Sequence, residues 1–307
     1  MGRKGKLRKN WRGKELKQGD TLMPDPRETD IVIPIMGPTG VGKSTFINTL
    51  AGKTVASVGH NLKSHTSQLQ HVVIEGGRNR IILVDTPGFD DTFVEDSEIL
   101  RRIAVWLAKS YSDNMKLAGV VYMHEISQTR MLGTARKNLD MFNKLCGREA
   151  TKNVILATTK WSEVKPDVAA RRETQLKKEH WAEMVKLGST VLRFEDTQES
   201  AWAIVDHIIE SSKKKNAVDA VQIQLEMVEV EKLLAETEAG RTLRYTLREL
   251  LEAQKQMAAR MQKGGGDGNM NEMVEENENK IRSTLNQIRA LNIPLSRRIL
   301  SIFGFSK

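Results

Sequence analysis

Residues 31–48, IVIPIMGPTGVGKSTFIN, decide the fold. A short β-branched run at 31–36 meets GPTGVGKS at 37–44, which matches G-x-x-x-x-G-K-[ST], and a helix-like TFINTLAG follows. Each residue type in this loop answers to phosphate chemistry. Glycines let successive backbone N–H groups curl around phosphate oxygens, Lys43 reaches the β- and γ-phosphates, and the Ser44 hydroxyl ligates Mg²⁺. The following helix turns its positive dipole end toward the same point. Gly37, Pro38, Thr39, Gly40, Val41, Gly42, Lys43, Ser44 and Thr45 are therefore the expected phosphate cradle.

About forty residues on, the apolar run RIILVD (80–85) ends in DTPGF (85–89). An Asp at the end of a buried strand can hold Mg²⁺ directly or through water, so Asp85 joins Ser44 as an expected metal ligand. Gly88 offers a backbone N–H for a γ-phosphate. Between the two motifs lies the Ser/Thr-rich HNLKSHTSQLQ (60–70), and Thr66 is expected to meet both metal and γ-phosphate, with Ser64 and Ser67 as alternatives.

Further apolar runs recur at 69–76, 117–124, 153–159 and 190–194, alternating with helical spacing at 44–51, 96–110, 132–145, 169–187 and 198–211. Strand and helix in alternation argue for βαβ units and a mostly parallel sheet covered on both faces, a three-layer α/β P-loop domain. Pro34 cannot donate to a sheet ladder, so a bulge or an undemanding neighbour is expected beside it.

Leu22-Met-Pro-Asp-Pro26 reads as a linker, and the character changes again after Ser212. Residues 213–263 are Glu/Lys/Arg/Gln-rich with apolar residues at helical spacing, which predicts one long amphipathic helix in which Gly240 breaks any strict heptad. GGGDGN (264–269) predicts a flexible break, and 272–291 a second helix. The expected organisation is a basic arm and linker over 1–27, a nucleotide-binding domain over 28–212, and a coiled-coil-like helical extension over 213–307.

Charge supports that division. Residues 1–19 hold eight Lys and Arg against Glu15, a net +7, which leaves about +2 of the total +9 for the remaining 288 residues. The body is near-neutral and only the arm is basic, so attachment to an anionic membrane through the arm, or through the basic and apolar end after Ile293, is a candidate contact. A specific nucleic-acid partner is not expected, because the arm interleaves only Trp11 and carries no reader motif. No stretch reaches the roughly 18 apolar residues of a membrane span, and no apolar segment follows the basic start. Cys146 stands alone, which suits a reducing compartment. An intracellular, cytoplasmic location is expected, with membrane-peripheral attachment as the alternative.

The stretches DIVIPIMGPTGVGKSTFIN (30–48), DTPGFDDT (85–92), HEISQTRMLGTARKNLDMFNKLCG (124–147), ATTKWSEV (157–164) and RFEDTQESAWAIVDHI (193–208) resemble septin-like and immunity-associated (GIMAP-like) P-loop GTPases, most of all the G-domain-containing proteins expanded in fungi. The resemblance covers roughly 30–212. It implies a G domain that binds GTP or GDP with Mg²⁺, and a base-reading loop at Thr159, Lys160 and Trp161, with Asp196 where the fifth motif touches the base. This chain departs from the pattern at Ser162, where such proteins often carry Asp. Losing that carboxylate removes a charge-assisted pair of hydrogen bonds to guanine, and Glu163 is the nearest substitute. His124 and Glu125, leaving the 117–124 strand, are candidate interface or nucleotide-proximal residues, since related GTPases make contacts across a dimer near this edge, and homo-oligomers through the G domain or the helices are a candidate assembly.

Phe89 stands where Ras-type GTPases orient the attacking water with Gln. An apolar side chain cannot do that, so a slow GTPase switch with the loops 57–68 and 88–96 as moving parts is expected. A nucleotide-bound scaffold with little turnover is the rival reading. Lys43, Thr66 and Gly88 are the expected catalytic residues.

Overall fold

The computed structural model describes residues 17, 20, 23, 25, 27, 29–56, 68–76, 79–89, 95–115, 117–129, 131, 133–214, 220–263 and 268–292. Among the described residues six strands form one sheet: β1 Ile31–Met36, β2 Gln70–Gly76, β3 Asn79–Asp85, β4 Val120–Glu125, β5 Val154–Thr159 and β6 Thr190–Arg193. Their order is β2-β3-β1-β4-β5-β6, with β2 antiparallel to β3 and every other pair parallel. The apolar runs that carry no alternation lie at the centre of this sheet, where both faces are covered. Strand β4 is an example, buried from Val120 through His124.

Helices α1 Lys43–Ala51 and α6 Gln198–Lys214 close one face. Phe46, Ile47 and Leu50 of α1 and Ala201, Ile204, Val205 and Ile208 of α6 pack with Ile33, Ile35, Val121 and Met123. Each of these core side chains is at most 2% exposed, and burial on that scale contributes about 1.5–3 kcal/mol per large apolar side chain. Helices α2 Asp96–Ser112 and α3 Gly133–Ala150 follow β3 and β4. In α2 the buried Ile99, Leu100, Ile103, Trp106 and Leu107 recur at three- and four-residue steps, and Phe142 of α3 packs on Tyr122 with ring centroids 4.6 Å apart.

The difficulty at Pro34 resolves as a bulge. Val32 accepts from Ala118 N at 2.9 Å, so Pro34, two residues on, faces β4 as well. Val32 bridges Leu117 while Ile35 pairs with Val121, so the ladder slips by one residue beside the proline. The missing donor falls in the slip.

The helical spacing at 169–187 proves to be three pieces: α4 Pro166–Gln175, a π-turn Leu176–His180 and α5 Ala182–Lys186. The single helix expected over 213–263 is not formed either. After α6 come a one-turn helix α7 Gln222–Gln224, a π-turn Leu225–Glu229 and a 3₁₀ turn Leu234–Glu236, and only then α8 Glu238–Lys263. The reason is tertiary. Ile223, Met227 and Val228 are at most 1% exposed in contact with α2 and α3, and Gln224 Nε2 donates to Leu107 O at 3.0 Å. Gln222 also lies against α3 at Gly147, where a Cβ would come within 2.6 Å of it. Docking wins over continuous helix because it gives the buried Gln224 amide a partner and buries three apolar side chains.

The chain divides into two compact units after Glu231 rather than after Ser212. In the second unit α8 and α9 Gly268–Ala290 form an antiparallel hairpin, in which Arg244 donates to Leu291 O and Asn277 to Gln254 O. Helix α9 starts inside the break expected at 264–269. Gly240 does not interrupt α8; it lets the first turn lie against the Leu234 carbonyl, which a Cβ would overlap. Among the described residues no helix is long and apolar enough to cross a membrane. The basic arm before Lys17 and the end after Asn292 lie outside the described residues.

Candidate functional site

The loop 37–42 leaves β1 at the carboxyl edge of the sheet and turns directly into α1, the place where open α/β sheets bind ligands. Its path requires glycine at its first position. Gly37 has φ 142°, and a Cβ there would stand 2.5 Å from Met123 O of β4, so only glycine brings the loop this close to the neighbouring strand. Gly40 and Gly42 also hold positive φ, and Gly42 caps α1.

Lys43 is buried, and its ammonium donates to Gly37 O at 3.0 Å and Pro38 O at 2.8 Å. One turn of α1 thus holds a positive charge inside the loop. Ser44 Oγ donates to Asp85 Oδ2 at 2.6 Å. Asp85 is fully buried and its Oδ1 has no partner among the described residues. Burial pushes this carboxyl above its usual range, while the Lys43 charge and the Ser44 hydrogen bond act the other way. A hydroxyl opposite a buried carboxylate with an unsatisfied oxygen is the hard oxygen set that fits Mg²⁺, whose remaining positions go to waters and substrate phosphates.

The turn after Asp85 is tied to the same loop. Thr86 Oγ1 donates to Ile35 O at 2.8 Å, Thr39 N to Phe89 O at 3.3 Å and Thr39 Oγ1 to Gly88 O at 3.3 Å. Gly88 lies so near that a Cβ would come within 2.5 Å of Thr39 N. The Phe89 side chain is 3% exposed and faces the interior rather than the loop's solvent side. The structure therefore brings together Gly37 to Thr45, Asp85 and Gly88. Thr66, with Ser64 and Ser67, lies outside the described residues, as do 57–67 and 90–94 of the two expected moving loops.

Strand β5 delivers the loop at 159–163. Thr159 is 1% exposed and its hydroxyl donates to Val41 O at 2.7 Å, so it ties β5 to the phosphate loop. Lys160 takes a left-handed backbone, φ 58°, and pairs with the Glu125 carboxylate at the end of β4. Burial would raise the Glu125 carboxyl, but hydrogen bonds from Lys160 and Gln128 outweigh it and hold the group below its usual range.

Trp161 Nε1 donates to Thr158 O and Oγ1 at 3.3 and 3.1 Å, and the Arg193 guanidinium lies 4.1 Å over its ring. Glu173 accepts two hydrogen bonds from Arg193, at 3.0 and 2.8 Å, which fixes the guanidinium plane over the indole. Ser162 and Glu163 are exposed. Phe194 N donates to Thr158 O at 2.8 Å, and Asp196, with φ 57°, follows two residues later. Burial and the Glu163 charge push its carboxyl up.

Sequence reasoning missed two parts of this site, the Glu125–Lys160 pair and the Trp161–Arg193–Glu173 stack. Glu173 and Arg193 are twenty residues apart in unrelated-looking segments, so no local spacing could have joined them. Glu125 carried a weak signal, a carboxylate leaving an apolar strand.

A family model described as 50S ribosome-binding GTPase matches residues 32–160. Cell division control protein 11 of Encephalitozoon cuniculi is 46% identical over 68 residues, 22% of this chain and 24% of that protein. GTPase Era of Campylobacter jejuni subsp. doylei is 33% identical over 73 residues, 24% of this chain and 25% of Era. The chain thus spans about a quarter of the length of these relatives. Toc33 from Arabidopsis thaliana, solved in complex with GDP and Mg²⁺, superimposes with TM-score 0.50 and 19% identity over 62% of this chain and 88% of Toc33. The fold of the first unit is that of a P-loop GTPase G domain.

Proposed function

We propose that this chain is a guanine-nucleotide switch of the septin-like and GIMAP-like kind, turning over GTP to GDP slowly with Mg²⁺ and passing the change to its C-terminal helices. The observation that carries the reading is the Ser44–Asp85 pair at 2.6 Å, with Asp85 Oδ1 buried and unsatisfied beside a lysine-filled glycine loop. That Toc33 has been solved with GDP and Mg²⁺ supports the same ligands here.

In this reading the N–H groups of Thr39 to Thr45 and the Lys43 ammonium bind the β- and γ-phosphates, and Gly88 N–H meets the γ-phosphate. Ser44 and Asp85 would hold Mg²⁺, directly or through water, and the ion would supply charge neutralisation at the phosphate oxygens. Thr66 is the residue assigned to complete the set. Phe89 has no polar atom to orient water, so turnover is slow. Guanine is read without a carboxylate at Ser162. Its donor-rich edge is met by the acids nearest the Trp161 loop, Asp196 and Glu163, and adenine, with an acceptor at N1, cannot give a carboxylate the paired N1–H and N2–H contact that guanine gives.

Titration of the purified full chain with GTP, GDP and ATP, with and without Mg²⁺, tests this. GTP and GDP are expected to bind more tightly with Mg²⁺ and more tightly than ATP, and Ser162→Asp should widen the gap by about tenfold, the worth of one charged hydrogen bond. ATP binding as tightly as GTP would sink the guanine reading, and Lys43→Ala without loss of any nucleotide would sink the site itself. The rival, a nucleotide-bound scaffold, draws on the buried Phe89. Multiple-turnover phosphate release separates the two, since a scaffold retains nucleotide and releases almost none. Homo-oligomers through the G domain or the helices belong to the same proposal, and sedimentation with each nucleotide reads them out.

A further inference from the structure

Trp161 opens the short turn Trp161–Glu163 that follows β5, and its indole is fixed from two directions. Nε1 donates to Thr158, 3.3 Å from O and 3.1 Å from Oγ1, which sets the edge of the ring. The Arg193 guanidinium, 4.1 Å from the ring centroid, covers a face. The contact joins two loops. Trp161 leads into Ser162 and Glu163, while Arg193, the last residue of β6, leads into 194–196.

An arginine does not hold such a place unaided. The Arg193 side chain is 44% exposed, and a long side chain in water keeps many rotamers that one ring contact does not freeze. Glu173 of α4 supplies the constraint. It is 5% exposed and accepts from Arg193 Nε at 3.0 Å and Nη2 at 2.8 Å. Two bonds from the fork to one carboxylate fix the guanidinium plane as a single bond cannot. Lys177, one helical turn on, pairs with the same carboxylate at 3.2 Å. Burial would raise the Glu173 carboxyl, but Arg193 and Lys177 outweigh it and hold the group below its usual range, so it is an anion at neutral pH.

The joined loops carry like charges. Burial pushes the Asp196 carboxyl up and the Glu163 charge adds to the shift, so the two acids stand near enough to repel. The Arg193–Trp161 contact opposes that repulsion, together with Phe194 N donating to Thr158 O at 2.8 Å. Its strength depends on the guanidinium staying flat on the indole, and that depends on Glu173.

We propose that Glu173 is a positioning residue for base recognition: through Arg193 it holds Trp161, and with it Glu163 and Asp196, where the guanine edge is met. The inference rests on the guanine-nucleotide reading of the site and adds to it a residue that acts only through others.

Isothermal titration of the nucleotide-free full chain with GDP, ADP and pyrophosphate, each with Mg²⁺, separates the contribution of the base from that of the phosphates. Wild type is expected to bind GDP more tightly than either of the others. Glu173→Gln keeps the side chain's shape but loses its charge and one acceptor oxygen. GDP should weaken about tenfold, the size of one charge-assisted hydrogen bond, while pyrophosphate stays within about twofold. Arg193→Lys keeps the charge without the planar fork and should do the same. The double variant should lose no more than the larger single loss, because the two residues act in series.

Equal losses for GDP and pyrophosphate would mean a general loosening of the domain and overturn the proposal, as would additive losses in the double variant. ADP or pyrophosphate binding wild type as tightly as GDP sinks the guanine reading and this inference together. A discriminating wild type with unaffected variants sinks this inference alone. Should Glu173→Gln fail to fold, Arg193→Lys decides, since its site is at the surface and full GDP affinity there would show that the two-bonded grip positions nothing.

Discussion

Replacing Gly88 with Ala tests whether the turn after β3 and the phosphate loop share one rigid packing. The added Cβ would lie 2.5 Å from Thr39 N, 2.6 Å from Thr39 Oγ1 and 2.7 Å from Thr39 Cα. An ordinary carbon contact needs about 3.5–4 Å, so one of the two loops must retreat by about 1 Å. Overpacking of this kind costs about 1–3 kcal/mol. The retreat also breaks the hydrogen bonds from Thr39 N to Phe89 O and from Thr39 Oγ1 to Gly88 O, both long at 3.3 Å and so taken at the weak end, about 0.5 kcal/mol each. The sum is about 2–4 kcal/mol, or roughly 4–16 °C in the melting midpoint of a domain this size. Differential scanning calorimetry of the nucleotide-free chain reads it directly. A second substitution sharpens the reasoning. Thr39→Ala removes only the Oγ1 contact and leaves the two backbone contacts, so the double variant should recover little of the loss. A midpoint within a degree of wild type for Gly88→Ala, or full rescue by Thr39→Ala, would refute the account.

Two other outcomes follow from the same site. Thr159→Val is nearly isosteric but leaves Val41 O buried without the donor that now meets it at 2.7 Å, so a loss of about 1–3 kcal/mol in urea unfolding is expected, with nucleotide affinity falling alongside. Asp85→Asn should act in opposite directions on the two states. The folded carboxyl is raised by burial, so the nucleotide-free native state binds this proton more tightly than the unfolded chain does. The associated stability is complete below the unfolded value of about 3.9 and is lost as pH rises through the folded value. The variant lacks that loss, so its nucleotide-free melting midpoint at pH 7 should exceed wild type while the gain from adding Mg²⁺ with nucleotide vanishes. An unchanged Mg²⁺ increment would remove Asp85 from the metal site.

Most of the sheet was legible because its signals are local. GPTGVGKS, DTPG and the six apolar runs are each contiguous, and burial on both faces of the central strands leaves their composition little freedom. The expected bulge at Pro34 could be read because a missing donor has few remedies. What escaped was tertiary. The spacing of Val221, Leu225 and Val228 is helical, and nothing in it says that Gln224 will reach Leu107, 117 residues away, and end the helix there. Likewise nothing local in the sequence shows that Thr159 bonds the phosphate loop or that Lys160 pairs with Glu125, partners that strand order brings together. The π-turn at Leu176–His180 was hidden because the spacing around it suits an ordinary helix.

The strap at 221–229 bears on how the first unit can be handled in isolation. A fragment ending after Ser212, the natural guess from composition, would strip Ile223, Met227 and Val228 from the outer faces of α2 and α3 and leave the Leu107 carbonyl without its amide. The exposed apolar ground would invite association between fragments. Recombinant work on the nucleotide-binding half should therefore stop the chain at Glu231, where the strap is complete.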